Sequence, residues 1–428
     1  MKILSNCIGV GALLFAVLTV SAKAESYDIY NVGACDPCGL GCYDINCGKK
    51  AKNSLWDYGG WIEAGIYGNN LSSRNVYYPS GSMTSPYLNG PGEAWYPLSG
   101  NSYFLGPARM VDLQMNQTYG YFGKKLDTRH GWDIGGRVDI MYGTDAFYTQ
   151  SNGLEYGDTH KRWGEGDYLL SLPQLYAEIG YRNLSLKAGK FYTPLGHESI
   201  MSTGRFFYST SYATSIVTPI TQTGVLATWD ANSRLSVFGG WTNGEDYSQG
   251  VYGKGAWTFA GSNNNAALFG FKYKVNRKIN FGYSALVGKE KDFWGTPGAT
   301  QEYFVHSLIV NIQPNSHWDY TFAWTLRDNE WEGMGANPVS NFYGINQELI
   351  YKYNSCWAIG LRGEWMYSSL DESLCEVTLG ANWTPNNWLL VRPEVRYDYC
   401  SADGGVYMFN NYSSKDQFGF GVSTVVKF

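Results

Sequence analysis

The chain has 428 residues, a formal net charge of −5 at pH 7 and charged residues at only 16% of its positions. A mild charge without a long basic run argues against a nucleic-acid-binding protein. No run of about 18 apolar residues follows the N-terminal region, and the mean hydropathy is negative, so the sequence excludes helical membrane spans.

The first residues predict an export signal. A charged start is followed by an apolar stretch from Cys7 to Val20 and by the small-residue site Ala22-Lys23-Ala24, as in a cleaved secretory signal peptide. A short buried helix or a membrane anchor is the alternative, but the apolar stretch is short for a spanning helix. We therefore expect residues 1–24 to be removed on export.

A segment rich in cysteine and glycine, residues 25–55, precedes the first predicted strand, and we expect it to lie in the periplasm. Its closely spaced thiols are Cys35, Cys38, Cys42 and Cys47. In an oxidising compartment this spacing favours two local disulfides. A four-thiolate zinc or iron–sulfur site is the alternative, although the spacing fits no standard zinc pattern. We predict no metal and no other cofactor.

Residues 56–428 show the alternation of a β protein with two different faces. Between Glu376 and Trp383 apolar and polar residues alternate, and Val138 and Ile140 alternate with Arg137 and Asp139. The chain also contains 35 Tyr, 20 Phe, 16 Trp and 52 Gly. Alternation with abundant aromatic residues is typical of a transmembrane β-barrel, in which one face meets lipid and the other encloses water. A secreted soluble β-sandwich would alternate too.

Repeated asparagine turns divide this region into strands. They are centred on Asn183, Asn232, Asn276, Asn315, Asn354 and Asn386. Asparagine tolerates left-handed backbone angles and hydrogen-bonds to its own turn, so each position predicts a tight reversal. Trp383 and Trp388 flank one of these turns, as expected at a membrane interface, and this favours the barrel over the sandwich.

Long polar connections alternate with these short turns, and a further short turn is predicted near residues 126–130. The pattern predicts an all-β fold, a transmembrane antiparallel up-and-down β-barrel of about sixteen strands, with short periplasmic turns and long extracellular loops. At this strand number the lumen is expected to be an aqueous channel.

The stretch LSLKAGKFYTPLGHESIMSTGRFFYSTSYATSIVTPITQTGVLATW, from Leu184 to Trp229, resembles the putative beta-barrel porin-2 (OmpL-like) family. The resemblance implies a porin in a Gram-negative-type outer membrane and brings no catalytic residues. The chain ends on an apolar strand face that includes Phe418, Phe420 and Phe428. Phe428 resembles the terminal aromatic residue that the barrel assembly machinery recognises, and we interpret it as the assembly signal.

The predicted inward faces carry charged side chains of both signs, so no strong ion preference follows from them. These pore-lining candidates are Glu63, Asp112, Arg137, Asp139, Glu178, Lys187, Lys272, Lys274, Arg327, Glu348, Lys352, Arg362, Glu364, Glu376, Arg392, Glu394, Arg396 and Asp398. By analogy with general porins, the third long loop is expected to fold inward and to form a constriction with His197, Glu198 and Arg205. A surface loop packed on the rim is the alternative.

Three further cysteines lie in the strand region. Cys375 and Cys400 are predicted to lie on opposite faces of neighbouring strands and therefore not to pair. With Cys356 they are interpreted as isolated packing residues.

No catalytic motif is present, and the five histidines are scattered, so we predict no enzyme. The predicted function is an outer-membrane porin that passes small hydrophilic solutes or ions by passive diffusion. Its expected partners are outer-membrane lipid, the barrel assembly machinery and further copies in a homotrimer. The alternative is a barrel plugged by its loops that serves as a surface anchor, an adhesin or a structural element of the envelope.

Overall fold

The computed structural model describes residues 55–70, 112–151, 153–156, 163–165, 168–246, 254–255, 265–291, 300–332, 341–368, 372–402, 409 and 414–428. The predicted signal peptide and the predicted disulfide residues Cys35, Cys38, Cys42 and Cys47 lie outside the described residues. Within these ranges no helix is long and apolar enough to cross a membrane.

Sixteen strands form the wall of the molecule. The first eight are β1 (Trp56–Asn69), β2 (Gln114–Lys124), β3 (Trp132–Gly143), β4 (Tyr168–Tyr181), β5 (Leu184–Tyr192), β6 (Thr221–Asp230), β7 (Leu235–Thr242) and β8 (Asn265–Lys274). The second eight are β9 (Ile279–Lys291), β10 (Thr300–Ile312), β11 (Trp318–Glu332), β12 (Phe342–Lys352), β13 (Trp357–Ser368), β14 (Glu372–Asn386), β15 (Leu389–Ala402) and β16 (Asp416–Lys427). Two-residue strands at Gly164–Glu165, Glu245–Asp246 and Lys254–Gly255 lie outside this wall series.

The strands pair with their neighbours in chain order and close into an antiparallel barrel, because β1 pairs with both β2 and β16. At the closing seam Ile62 lies opposite Val426. Phe428 continues the seam: its N–H donates to the Gly60 carbonyl at 2.9 Å, and Gly60 N–H donates to the Phe428 carbonyl at 3.0 Å. The prediction of a sixteen-stranded antiparallel barrel is confirmed.

Asparagine side chains form the short turns, as predicted. The Asn232 side-chain oxygen accepts from the N–H groups two and three residues later, at 2.8 and 3.0 Å, and the same pattern recurs at Asn276, Asn315, Asn354 and Asn386. The turns do not use the left-handed backbone angles that asparagine tolerates. Among the described non-glycine residues only Arg182 has a positive φ, at 54°. The side-chain bonds cap these turns without that backbone conformation.

The outward face of the barrel is apolar and the inward face is polar. Large side chains such as Ile134, Val138, Leu379 and Phe420 are exposed on the outside, whereas Arg362, Arg392 and Arg396 are buried inside. Rings pair near the short turns, as between Trp357 and Trp383 with centroids 5.9 Å apart. A soluble sandwich would bury its apolar face, so this inverted arrangement requires a hydrocarbon surrounding.

The cysteine interpretation needs one correction. Cys400 is buried and forms no disulfide, so the prediction that it does not pair with Cys375 is confirmed. Cys356 and Cys375, however, are disulfide-bonded rather than isolated packing residues. They lie near opposite ends of the β13–β14 hairpin and therefore do not bond to each other. Strand alternation describes pairing between neighbouring strands only, and it could not have revealed these bonds.

Candidate functional site: a loop anchored across the lumen

The third long connection, residues 193–220 between β5 and β6, folds into the barrel; we call it the third loop. Gly196 N–H donates to Ser307 Oγ of β10 at 2.9 Å, Gln117 Nε2 of β2 donates to the Ile200 carbonyl at 2.7 Å, and Tyr208 N–H donates to Glu394 of β15 at 2.8 Å. Because these strands lie on different sides of a closed barrel, the loop crosses the lumen.

Arg392 on β15 binds the backbone of the third loop. Its Nη1 donates to the carbonyl oxygens of Ser202, Arg205 and Phe207, at 2.9, 3.1 and 3.4 Å. Its Nη2 donates to Glu63 on β1, so that one buried guanidinium joins two strands and the loop. A guanidinium is suited to this position because its donors are planar and permanently charged.

Arg362 on β13 and Arg396 on β15 hold the next part of the loop. Arg362 Nη1 donates to Glu198 Oε1 at 2.6 Å and to the Ser209 carbonyl at 2.9 Å, and its Nε donates to Glu376 at 2.5 Å. Arg396 Nη1 donates to the Thr210 carbonyl at 2.7 Å. Each guanidinium thus bonds both a carboxylate and a loop carbonyl.

Wall carboxylates accept from the loop amides at neighbouring positions. Glu394 accepts from the N–H groups of Tyr208 and Ser209, and Glu364 accepts from those of Tyr212 and Ala213. Positions 392, 394 and 396 share one face of β15 because side chains of a strand alternate. The inward faces of β13 and β15 therefore form one surface that binds the loop backbone, which we call the anchoring wall.

The far end of the loop is held by Arg205, which lies 3.4 Å from Glu63 and 3.4 Å from Asp145. Asp145 follows β3 and was not among the predicted site residues, since nothing local marks that connection as inward-folding. Burial raises the pKa of Asp145 to about 6, although the Arg205 guanidinium opposes the shift.

His197 and Glu198 lie on the loop beside Glu348 of β12. His197 Nε2 is 3.2 Å from Glu348 Oε1. Together these residues form the grouping of potential metal ligands within the described ranges, with ligand atoms within 4.8 Å of one another. Arg362 and Ser211 already bond Glu198, and His197 already faces Glu348. The arrangement therefore suits a tether between loop and wall better than a metal site.

Apolar side chains fill much of the space beside the loop. Its second helical turn, Ala213–Val217, is buried in a cluster with the wall residues Leu226, Leu268, Leu286, Val305 and Met366. On the other side Ile200 and Ile220 pack with Trp61, Tyr119 and Phe147. These contacts could not be predicted from the sequence, because inward-facing leucines alternate no differently from outward-facing ones.

Asp398 of β15 also binds the third loop, since it accepts from the Tyr212 hydroxyl at 2.7 Å. Other pore-lining candidates have partners in the wall or lie outside the lumen. Arg137 pairs with Asp139 at 2.6 Å and with Asp57 at 3.6 Å. Arg327 is fully buried on β11, and its Nε donates to Asn329 at 3.1 Å. Glu178 is half-buried on β4. Asp112 is exposed in a bend just before β2, so the structure does not bring it to the barrel interior with the others.

The model of the family described as putative beta-barrel porin-2, OmpL-like, matches residues 101–428. The chain belongs to this family. The match begins in the connection before β2 and includes the third loop and the anchoring wall. No curated protein sequence matches the chain significantly.

Solved structures with the same fold are outer-membrane proteins. The outer membrane channel DcaP of Acinetobacter baumannii has a TM-score of 0.54 at 10% identity, covering 87% of this chain and 97% of that chain. An anion-selective porin from Comamonas acidovorans has a TM-score of 0.54 at 8% identity, with 87% and 99% covered. OprB of Pseudomonas putida has a TM-score of 0.51 at 12% identity, with 87% and 94% covered. Family and fold together establish an outer-membrane barrel, as predicted.

The His197–Glu348 contact is expected to make the loop sensitive to pH. Burial lowers the pKa of His197, but Glu348 more than offsets this, so the pKa is raised. The raised value means that the contact stabilises the loop fully below about pH 6.5 and that this stabilisation is lost as pH rises through the raised pKa. In single-channel recordings between about pH 5 and pH 9, current noise should therefore stay low up to about pH 6.5 and increase as the pH is raised further.

A His197→Gln variant should lose this pH dependence. The neighbouring Glu198 provides an internal control, because burial, Arg362 and His197 together bring its pKa to about 2, with the attraction outweighing the burial. Its bond to Arg362 is present above about pH 4.5 and is lost only as pH falls through about 2, outside the measured range. If current noise depended on pH equally in wild type and His197→Gln, the pH response could not be assigned to the His197–Glu348 contact.

Proposed function

We propose that this protein is a narrow, water-filled channel for passive diffusion of small hydrophilic solutes or ions across the outer membrane. The observation that carries the proposal is the asymmetric lumen. The third loop is bonded to the anchoring wall, whereas inward-facing charged residues on the opposite wall, including Lys272 and Lys274 of β8, are exposed. In the half of the barrel nearest the short turns, the water path is therefore assigned to the β4–β8 side, whereas nearer the long loops the third loop packs against Leu226 and Leu268 of that side.

Selection in such a channel is steric and electrostatic. The loop reduces the free cross-section of a sixteen-stranded barrel, and the charges along the remaining path decide which hydrated solutes pass. No chemical step and no cofactor are part of this proposal.

The test is single-channel recording of the folded protein in planar bilayers. We expect discrete conductance steps whose size is limited by the third loop. Folding is checked independently by heat-dependent gel mobility. A folded, membrane-inserted protein that never conducts would contradict the proposal.

The two apolar clusters around the loop favour a second candidate, a plugged barrel that acts as a surface anchor, adhesin or envelope element. They show that the loop fills lumen volume as well as lining it. Single-channel recording distinguishes the open channel from the plugged barrel. A plugged barrel should be silent in its native form and should conduct only after the loop is detached from the anchoring wall.

Two kinds of assembly partner are also proposed. Exposure of the Phe428 ring at the barrel seam supports its recognition by the barrel assembly machinery. A homotrimer is proposed from the strand number. Chemical cross-linking of the membrane-embedded protein tests it.

A further inference from the structure

The described arginines of the anchoring wall contribute little free positive charge to the water path, because each lies beside a carboxylate. Arg392 pairs with Glu63, Arg362 pairs with Glu198 and Glu376, and Arg396 pairs with Asp398. All three guanidinium groups are also fully buried. Charges that are paired and desolvated in this way have weak effects on ions in the lumen.

Three lysines on the open wall differ from these arginines in both ion pairing and burial. Lys187 of β5 and Lys272 and Lys274 of β8 face inward, since they share the faces of Leu226 and Leu268, which pack inside the barrel. Lys272 and Lys274 are exposed and Lys187 is half-buried. None of the three has an ion pair within 4 Å in the described part of the chain. We call these residues the lysine strip.

The lysine strip lies in the half of the barrel nearest the short turns. Lys274 is the last residue of β8, before the Asn276 turn, and Lys187 is close to the start of β5, after the Asn183 turn. Lys187 lies close enough to Lys272 for mutual repulsion, and its Nζ is 4.3 Å from the centroid of the Tyr176 ring. The strip therefore forms one basic surface with an aromatic edge.

Glu178 on β4 and Asp230 at the end of β6 are the acidic residues next to the lysine strip in the described part of the chain. Glu178 lies opposite Lys187 in the strand register, without a bonded ion pair. Asp230 is exposed on the inward face of β6, and Ser236 separates it from Lys272 in the strand register. Three lysines against two carboxylates leave an excess of one positive charge on this surface. Repulsion between neighbouring lysines keeps the surface receptive to an anion.

Acidic residues on the opposite wall could cancel this excess positive charge. Whether they do depends on how deeply they are buried. Glu364 and Glu394 form no ion pair with any described arginine, but they are only 4% and 5% exposed, and both accept from loop N–H groups. Ions in the water path lie next to exposed charges, and at physiological ionic strength screening acts over about 8 Å. The exposed lysines therefore dominate the potential where solutes pass.

We propose that the lysine strip is an anion-binding site and that the channel favours small anionic solutes bearing carboxylate or phosphate groups over cations. This inference rests on the proposed channel function. The ammonium groups bind the anionic group, and the Tyr176 ring provides a surface for an apolar part of the solute. Because the site is exposed and has no fixed bonding partner, binding is weak enough for the anion to leave.

The test is the reversal potential of single channels in a KCl gradient, with inorganic phosphate as a second probe. The wild-type channel should be anion-selective, and added phosphate should reduce its chloride current. The Lys187→Gln/Lys272→Gln/Lys274→Gln variant should lose most of the chloride preference and the phosphate effect. Lys272→Glu, a single change at an exposed site that lowers the charge by two, should shift the reversal potential toward cations more than Lys272→Gln does and less than the triple variant does.

The matched control is Lys289→Gln. Lys289 lies on the outward face of β9 near the long-loop rim, paired with Glu302 at 2.6 Å, so its charge is outside the proposed path. The reversal potential of the Lys289→Gln channel should equal that of the wild-type channel.

A conducting wild type that prefers cations, or lysine variants with unchanged selectivity, would overturn the anion site while leaving the channel function intact. Absence of conductance in both the wild type and a loop-released variant would overturn the channel function, and the anion site with it.

Discussion

An Arg392→Gln variant is expected to conduct several-fold more current per open channel than the unmodified protein. Arg392 donates to three carbonyl oxygens of the third loop and to Glu63, so its removal detaches the middle of the loop from β15. The freed backbone carbonyls can bond to water in the lumen, which favours displacement of the loop from the water path. Single-channel recording at fixed salt measures the change.

The conductance experiment must distinguish release of the third loop from loss of folding. Removing one partner of a buried ion pair costs about 3–5 kcal/mol when the other charge is left unpaired, and in Arg392→Gln the Glu63 carboxylate would keep only Arg205, at 3.4 Å. An Arg392→Gln/Glu63→Gln double variant removes this poorly paired carboxylate while Arg205 keeps Asp145, and it should show the same increase in conductance. Heat-dependent gel mobility confirms that both variants fold.

Arg137→Gln is the matched control, because Arg137 is also an inward-facing arginine but contacts Asp139 and Asp57 instead of the third loop. It should alter selectivity slightly and leave conductance near the wild-type value. If Arg392→Gln folds and conducts like wild type, the loop is not what limits the current. If only the Arg392 variant conducts, the native protein is the plugged barrel.

The second large effect concerns which face of a strand meets lipid. Val225 lies at the centre of β6, faces outward and is 38% exposed. Arginine at this position would place a charge at mid-bilayer depth and destabilise the folded barrel by about 2–4 kcal/mol. Refolding into lipid vesicles across a urea series, followed by gel mobility, measures the loss.

Thr228 on the same strand faces the lumen and is only half-buried, so Thr228→Arg is the matched comparison. The new charge would meet water and should leave the free energy of unfolding nearly unchanged. Equal destabilisation by both substitutions, or greater destabilisation by Thr228→Arg, would show that the faces have been assigned incorrectly.

The barrel could be predicted because its signals are local. Alternation such as that from Glu376 to Trp383 depends on adjacent residues, and each asparagine turn bonds N–H groups two and three positions away. The side-chain bonds suffice to close these turns, so the asparagines need no left-handed backbone angles. Glu198 and Arg205 were selected because they are charged residues in the third long loop.

The lumen contacts could not be predicted in this way. Arg392 bonds the carbonyl of Ser202, 190 positions away in sequence, and Arg205 pairs with Asp145 on another connection. Nor could a pattern of alternating residues show which of the inward-facing cations are neutralised. Lys272 and Arg362 look equivalent in the sequence, yet one is exposed without an ion pair and the other is buried between two carboxylates.

The amino-acid sequence by itself determined an exported chain whose strands present one apolar and one polar face, and hence a membrane barrel. These properties arise from neighbouring residues, because the apolar face of each strand is more stable in lipid and the polar face in water. Only the tertiary structure decided that the third loop crosses the lumen and that the unpaired positive charge lies on the opposite wall. Those features depend on ion pairs between residues far apart in the chain, and only closure of the barrel brings these residues together.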